Sequence, residues 1–150
     1  MIVKWKVCSY DDLSKKELHQ IMILRQKVFV VEQDCPYQDA DDKDIYSHHV
    51  MGLNVKDQLI VYLRIVAPGI SYKEVSFGRI VTDMAYRGKA LGLEVVNKGI
   101  AYTESIYGNT DIRISAQSHL LSFYQKFDFK STAKEYLEDG IPHTEMIRSV

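Results

Sequence analysis

The chain has 150 residues, of which 46% are hydrophobic and 26% are charged, and its formal net charge is −1 at pH 7. This length suits a single domain over residues 1–150, with a core large enough that neither disulfides nor a metal is needed for stability. A net charge near zero disfavours nucleic acid or an anionic membrane as a partner, and the two cysteines are too few for a disulfide framework or a zinc site.

The first half of the chain predicts a strand, a helix and a strand pair. The segment 2–10 alternates β-branched and aromatic residues with polar ones, which is typical of a half-buried strand. Ser14 and Glu17 have the spacing of a capping box, so a helix should begin there and end near Val31, before Pro36. Two strands, His48 to Lys56 and Leu59 to Ala67, should then form a hairpin through the link Asp57-Gln58.

The second half predicts two further strand–helix units and a final hairpin. A strand over Glu74 to Asp83 contains Gly78, which marks a bulge or a close backbone approach. The remaining predicted elements are a helix over 88–106, a strand over 111–115, a short helix over 118–127 capped by Ser118, and a hairpin around 136–146 with a type I′ turn at Asp139-Gly140.

This element order predicts an α/β fold, in which a mixed sheet is covered by helices on both faces. No apolar run approaches the ~18 residues of a membrane span, and the N-terminal segment lacks the pattern of a signal peptide. We therefore expect a cytoplasmic protein.

The clearest evidence in the sequence for a binding site is the turn Tyr86-Arg87-Gly88-Lys89-Ala90-Leu91-Gly92, between a predicted strand and a predicted helix. Its small residues allow a ligand to approach the backbone closely. The first N–H groups of a helix lack internal acceptors and favour an anion, and Arg87 and Lys89 add positive charge. The spacing fits neither a Walker loop nor a dinucleotide motif. The turn therefore predicts a pyrophosphate site, although the same glycines would also suit a helix start that only packs on the sheet.

The stretch IVTDMAYRGKALG, residues 80–92, resembles the acetyl-CoA signature of the GNAT superfamily. The resemblance implies that the turn binds the CoA pyrophosphate through its backbone amides and that the preceding strand offers backbone hydrogen bonds to the pantetheine arm. The residues so implied are Arg87, Gly88, Lys89, Ala90, Leu91 and Gly92 in the turn and Ile80, Val81 and Thr82 in the strand. Ala90 stands where the family usually has glycine, which is favourable if the residue is helical and unfavourable if its φ is positive.

The stretch SAQSHLLSFYQKFDF, residues 115–129, resembles the second GNAT motif. The resemblance implies that Tyr124 is the general acid that protonates the departing CoA thiolate and that Gln117 contacts the cofactor arm, where the family often has asparagine. A phenol with a pKa of ~10 is protonated at neutral pH, so the chemistry is reasonable. The alternative is that Tyr124 is an ordinary packing aromatic.

Four segments narrow the resemblance to the ElaA family of N-acetyltransferases: LRQKVFVVEQDCPYQDADDKD (24–44), FGRIV (77–81), AQSHLLSFYQKF (116–127) and EDGIPHTEM (138–146). The resemblance extends over nearly the whole chain. It implies the GNAT fold, a mostly antiparallel sheet of six or seven strands flanked by helices on both faces, and the use of acetyl-CoA as acyl donor. It implies no particular acceptor.

Two other side chains, Glu32 and His48, are candidates near the acceptor. Glu32 could act as general base or anchor the amine if its surroundings raise its pKa, or it could simply pair with Arg25. His48 and His49 are adjacent in a strand and point to opposite faces, so they cannot share a metal ion, but His48 could line the cleft as a base.

The loop between Tyr37 and Asp44 is rich in carboxylates but lacks the spacing of a calcium-binding EF-hand loop. We expect a solvated acidic loop that attracts a cationic amine. Arg64 and Arg79 should form ion pairs, and Cys35 lacks a neighbouring histidine that would make it an acyl carrier.

Together these features predict an N-acetyltransferase that moves an acetyl group from acetyl-CoA to a primary amine of a small molecule or peptide. Transfer would be direct, in a ternary complex, and without a metal. Two alternatives stay open: a non-catalytic module that binds acetyl-CoA as a sensor or interaction partner, and another nucleotide-binding enzyme that uses the same turn. A monomer and a homodimer are equally compatible with the sequence.

Overall fold

A seven-stranded β-sheet runs through the computed structural model, which describes all residues from 1 to 150. The strands are β1 Lys4–Ser9, β2 Ser47–Leu53, β3 Leu59–Val66, β4 Val75–Thr82, β5 Ile112–Gln117, β6 Lys130–Glu138 and β7 Ile141–Arg148. Their order across the sheet is β1-β2-β3-β4-β5-β7-β6. Only β4 and β5 are parallel, and every other neighbouring pair is antiparallel. The predicted fold class, a mostly antiparallel mixed sheet with helices on both faces, is confirmed.

Three α-helices cover this sheet: α1 Lys15–Arg25, α2 Leu91–Tyr107 and α3 Leu121–Gln125. A π-helical segment, Gln26–Glu32, continues α1, and short 3₁₀ turns occur at Tyr10–Asp12, Asp42–Tyr46, Met84–Tyr86 and Ser118–Leu120. None of the helices combines the length and apolar character required to cross a membrane.

Two apolar clusters lie on opposite faces of the sheet because successive strand residues point to alternate sides. In β3, Val61 and Leu63 pack under α2 and α3, whereas Tyr62 between them packs under α1. The larger cluster also contains Tyr124 of α3, and the smaller one contains Ile21 and Leu24 of α1. Each helical layer therefore packs on its own apolar cluster, one on each face of the sheet.

The predicted start of α1 is confirmed. The Ser14 hydroxyl accepts a hydrogen bond from the Glu17 N–H at 3.1 Å, and the Glu17 carboxylate accepts one from the Ser14 N–H at 2.8 Å. The helical path ends close to the predicted end, but its last seven residues are π-helical. A π turn takes one more residue than an α turn and is common at functional sites.

Two local predictions are wrong. The loop between β2 and β3 spans 54–58 rather than two residues, because the Asn54 side-chain oxygen accepts the N–H groups of Lys56 and Gln58. Ser118 does not cap a helix, because its hydroxyl is bonded to the Thr144 hydroxyl at 2.8 Å. In both cases a polar side chain makes a hydrogen bond that the sequence pattern did not indicate.

The final hairpin has the predicted turn. Asp139 has a φ of 50° and Gly140 a φ of 77°. Positive φ at both central residues defines a type I′ turn, whose twist matches that of the flanking strands. The turn brings the start of β7 back over the end of β6, next to the cavity between β4 and β5.

Candidate active site

Strands β4 and β5 separate after a short stretch of pairing. Only Val75 to Phe77 of β4 are paired with β5, opposite Ile112 to Ile114. Immediately beyond, β4 has a bulge at Arg79 and Ile80, which together lie opposite Leu63 of β3, and Arg79 adopts a φ of 52°. A bulge bends its strand and strengthens the local twist. Gly78 itself is paired with Arg64, so the expected bulge begins one residue later, where a gap opens between β4 and β5.

Backbone groups of β4 face this gap. The Asp83 N–H donates to the Ile60 carbonyl, so Asp83 and Val81 are directed towards β3. The alternation of an antiparallel ladder then directs Ile80 and Thr82 to the gap side. The Thr82 carbonyl accepts a hydrogen bond from Arg87 Nε at 3.2 Å. Ile80 therefore offers free backbone groups, whereas Val81 offers none on this side.

The turn before α2 presents unpaired backbone donors. The consecutive N–H groups from Gly88 to Leu93 have no hydrogen-bond acceptor within the chain, and α2 begins at Leu91. Gly88 has a φ of 80° and Ala90, the residue before the helix, a φ of 60°. Consecutive N–H groups at a helix N-terminus form a concave site for an anion.

Ala90 does not adopt the helical conformation in which alanine would be favourable. Its φ of 60° and ψ of 22° place it in the left-handed region, where the side chain of an L-residue is crowded. In a turn of this kind a left-handed residue lets successive N–H groups converge on one side.

We expect Ala90→Gly to stabilise the protein. The left-handed region costs an L-residue about 1–2 kcal/mol, and glycine avoids this cost. Glycine also makes the unfolded chain more flexible, which removes about 0.4–1 kcal/mol of that gain. The net gain in unfolding free energy should be about 0.5–1 kcal/mol, measurable by urea denaturation. Gly88→Ala is the matched control and should destabilise, because its φ is 80° although no heavy atom lies within 4 Å of an added Cβ. A loss of stability in Ala90→Gly would contradict this account of the turn.

Gly92 lies in the first turn of α2, next to α3. A Cβ at this position would lie 3.6 Å from the ring of Phe123, an ordinary van der Waals distance, so packing within the protein does not require glycine here. Its N–H is among the free donors of the turn.

Glu32 forms a bidentate ion pair with Arg87, with N–O distances of 2.6 and 2.9 Å. This pair joins the end of the π-helical segment to the turn before α2. Glu32 is therefore a partner of Arg87 and not of Arg25, and it does not line the cavity between β4 and β5. Lys89 makes no ion pair and remains the free cation of the turn.

A cavity of about 560 Å³ lies at the gap between β4 and β5. Its wall on the α1 side includes Ser115 and Gln117 of β5, and its wall on the other side includes Tyr124 of α3. Since the strands are unpaired here, the cavity connects the two faces of the sheet. Other residues that line it are Phe29, Gln33, Cys35, Tyr37, Arg79, Ile80, His119 and His143.

Tyr124 is 7% exposed and packs edge-to-face against Phe123 and Phe129, with centroid distances of 5.1 and 6.1 Å. Its hydroxyl has no hydrogen-bond partner within the protein. Burial raises the pKa of Tyr124 to about 12, because desolvation disfavours the phenolate. The phenol is therefore neutral and able to donate a proton towards the cavity.

Three of the four carboxylates in the acidic loop form ion pairs, and two of these, Asp39 and Asp44, are buried, so the expectation of a solvated loop is wrong for these three. Arg25, with no exposed surface, donates to Asp39 at 2.8 Å and to Asp44 at 2.7 Å. Arg64 pairs with Asp41 at 2.6 Å and with Asp44 at 2.9 Å. Only Asp42 remains exposed.

Arg79 completes this network, with its Nε atom 2.9 Å from Asp39 and its guanidinium 5.5 Å above the ring of Tyr37. Burial opposes ionisation of Asp44, but the hydrogen bond to Arg25 and the charges of Arg25 and Arg64 outweigh it and hold the pKa of that carboxyl below its usual value. The ion pairing expected for Arg64 and Arg79 is confirmed, and both side chains line the cavity.

The structure places His48 and His49 outside the cavity. His48 packs edge-on against Tyr107 of α2 at a centroid distance of 6.2 Å. His49 is fully buried, with its ring nitrogens 2.6 Å from the Tyr62 hydroxyl and 2.9 Å from the Asp44 carbonyl. Burial lowers the pKa of each imidazole. His48 therefore cannot reach a substrate in the cavity from this position.

His143 and Glu138 are cavity residues that were not singled out from the sequence. His143 and Glu138 line the wall next to the type I′ turn, with His143 Nε2 3.3 Å from the Glu138 carboxylate. They lie within EDGIPHTEM, which carried the family resemblance, but nothing in that segment alone distinguishes a cavity histidine from any other strand residue.

Comparison with known proteins agrees with this architecture. A family model described as acetyltransferase (GNAT) domain matches residues 11–150. A UPF0039 protein from Synechocystis sp. is 41% identical over 98% of this chain and 96% of its own length. An acyl-CoA N-acyltransferase from Pseudomonas aeruginosa has a similar structure, with a TM-score of 0.94, 37% identity, and coverage of 99% of this chain and 100% of that one. Escherichia coli ElaA follows with a TM-score of 0.91, 34% identity, and the same coverage.

Proposed function

The chain belongs to the GNAT acetyltransferase family, in its ElaA-like group, and from this premise we propose that it transfers an acetyl group from acetyl-CoA to a primary amine. The family is one of acyltransferases, whereas the acetyl donor, the amine acceptor and the direct mechanism are our proposal. The observation that carries it is the position of Tyr124 in a cavity that opens through the sheet between β4 and β5.

The turn and the gap fit the two parts of CoA. The free N–H groups from Gly88 to Leu93 would hold the pyrophosphate, with Lys89 as a nearby cation. The pantetheine arm would pair with the backbone of Ile80 and lie beside Gln117, whose amide is 3.4 Å from that of Gln33. This arrangement would bring the thioester into the cavity, within reach of Tyr124.

Transfer would occur in one step within the ternary complex. The amine nitrogen forms a bond to the acetyl carbon and loses one proton to a base, the bond from that carbon to sulfur breaks, and the Tyr124 hydroxyl gives its proton to the departing thiolate. A raised phenol pKa keeps that proton in place until sulfur develops negative charge. Cys35 also lines the cavity, but its thiol contacts only the Asp139 carbonyl, at 3.8 Å. The thiol makes no hydrogen bond to a side-chain base that would activate it as an acyl carrier.

An open cavity favours an enzyme over a module that only binds acetyl-CoA. A sensor would need the turn and the gap, but not a buried phenol facing a space large enough for a second substrate. The test is acetyl-CoA consumption by the purified chain with a panel of primary amines, peptides and amino acids. We expect release of free CoA with at least one of them, and turnover with none would contradict the proposal.

Binding of CoA should raise thermal stability through the turn before α2. A ligand at 100 times its Kd adds about 2.7 kcal/mol to the unfolding free energy, which thermal denaturation with and without CoA will detect. NAD is the control, because it shares the pyrophosphate but not the pantetheine arm. No shift with millimolar CoA, or an equal shift with NAD, would contradict the placement of CoA and favour another nucleotide-binding enzyme.

A further inference from the structure

His143 stands in a row of side chains that crosses three strands at the cavity. It lies directly opposite Gln117 of β5 and Tyr136 of β6. Directly opposed residues of antiparallel strands point to the same face. The row therefore faces the same side as Gln117, and His143 shares the cavity with Tyr124.

The tautomer of the neutral His143 ring is determined by its contact with the backbone. Its Nδ1 atom is 2.7 Å from the carbonyl oxygen of Ile141, two residues earlier in the same strand. A carbonyl oxygen can only accept, so Nδ1 carries the hydrogen. In the neutral ring the lone pair is therefore on Nε2, the nitrogen on the side of Glu138.

The surroundings of His143 hold the ring in place. The Tyr136 ring stacks on it at a centroid distance of 6.1 Å and an interplanar angle of 18°. The Glu138 carboxylate lies 3.3 Å from Nε2, close enough to accept a hydrogen bond once Nε2 is protonated. Only 9% of the His143 side chain is exposed, so its position is well defined.

We propose that His143 is the general base that accepts the proton of the acceptor amine. This inference rests on the proposed function. Nε2 takes one proton from the amine as nitrogen bonds to the acetyl carbon, while Tyr124 gives one proton to the thiolate sulfur, so the two residues act on opposite sides of the same transfer. Glu138 stabilises the resulting imidazolium.

The other candidate bases are less suitable. Glu32 is engaged by both terminal nitrogens of Arg87, and Asp41 by both terminal nitrogens of Arg64. His48 packs against α2, outside the cavity. His119 lines the cavity but is exposed and has no hydrogen bond that orients its ring. Only His143 combines access to the cavity with a defined tautomer.

The decisive variant is His143→Asn. The Asn side-chain nitrogen can replace Nδ1 in the hydrogen bond to Ile141, but it leaves no basic nitrogen at the position of Nε2. With the best amine of the panel, we expect kcat to fall at least about 100-fold, while the thermal shift caused by CoA stays at its wild-type size. His19→Asn, on the exposed face of α1, is the matched control and should keep the wild-type rate.

Chemical rescue separates a base from a structural residue. In His143→Ala, added imidazole should restore part of the lost rate by occupying the vacated space, and it should have no such effect on Tyr124→Phe. If His143→Asn does not fold, His143→Gln takes its place in the same comparison.

Three outcomes would overturn the proposal. A folded Asn or Gln variant with the wild-type rate would show that His143 is not the base, and the proposed function would stand. Loss of rate in His119→Asn with retention in His143→Asn would assign the role to His119. A wild-type chain that binds CoA but consumes acetyl-CoA with no amine would overturn the proposed function and this inference with it.

Discussion

Tyr124→Phe should lower turnover about 10²- to 10⁴-fold, the usual contribution of a positioned general acid, and should leave CoA affinity close to wild type. The substitution keeps the ring and its contacts with Phe123 and Phe129, so packing is preserved. It removes a hydroxyl that has no partner within the protein, so no buried group loses a hydrogen bond. Steady-state kinetics with acetyl-CoA and thermal shift with CoA measure the two effects separately.

A substrate with a better leaving group sharpens this test. An acetyl thioester of a low-pKa thiol departs without protonation, so the difference between wild type and Tyr124→Phe should shrink with it. Tyr102→Phe is the matched control, because Tyr102 lies on α2 outside the cavity and should tolerate the loss of its hydroxyl. If Tyr124→Phe keeps full turnover under conditions in which the chemical step limits the rate, Tyr124 has only a packing role. Water would then be the proton source.

Arg25→Met should destabilise the protein by about 3–5 kcal/mol, the cost of removing one partner from a buried ion pair. Arg25 is fully buried and donates to the Asp39 and Asp44 carboxylates and to the Asp39 carbonyl. Methionine approximates its apolar stem but leaves these acceptors with fewer donors in a site that excludes water. Such a loss is a large fraction of the 5–15 kcal/mol that is typical of a domain.

Urea denaturation measures this loss, and Lys4→Met is its control. Lys4 pairs with Asp57 at the surface, where more than half of each side chain is exposed, and water replaces the lost partner. We expect a shift of the urea midpoint for Arg25→Met and almost none for Lys4→Met. Equal midpoints for the two variants would mean that the buried network contributes no more than a surface pair.

The ion-pair network also shapes one wall of the cavity. Arg64 and Arg79 both line it, and the carboxylates that hold them come from the loop before β2. A cationic amine would therefore meet a wall whose charges are already paired. Glu138 and Asp139, at the turn between β6 and β7, are carboxylates of this cavity that make no ion pair with arginine.

Local patterns in the sequence were sufficient for most of the fold and for the free N–H groups before α2. The capping box of α1, the bulge next to Gly78 and the type I′ turn at Asp139-Gly140 each depend on residues within a few positions of one another. The same holds for the free N–H groups, since they follow from the start of any helix. Such features can be predicted because their partners are adjacent in the chain.

Contacts between distant residues were decided only by the tertiary structure. Glu32 binds Arg87 across 55 positions, and Arg64 binds Asp41 across 23, so neither partner could be identified from spacing. Ala90 adopts the left-handed conformation despite the helical preference of alanine, because the path of the chain from β4 into α2 fixes its backbone. His143 became a candidate base only when β5, β6 and β7 aligned it with Gln117 and the cavity. Sequence determined which side chains were present, but burial and strand register determined which of them meet, because both arise from packing of the whole chain.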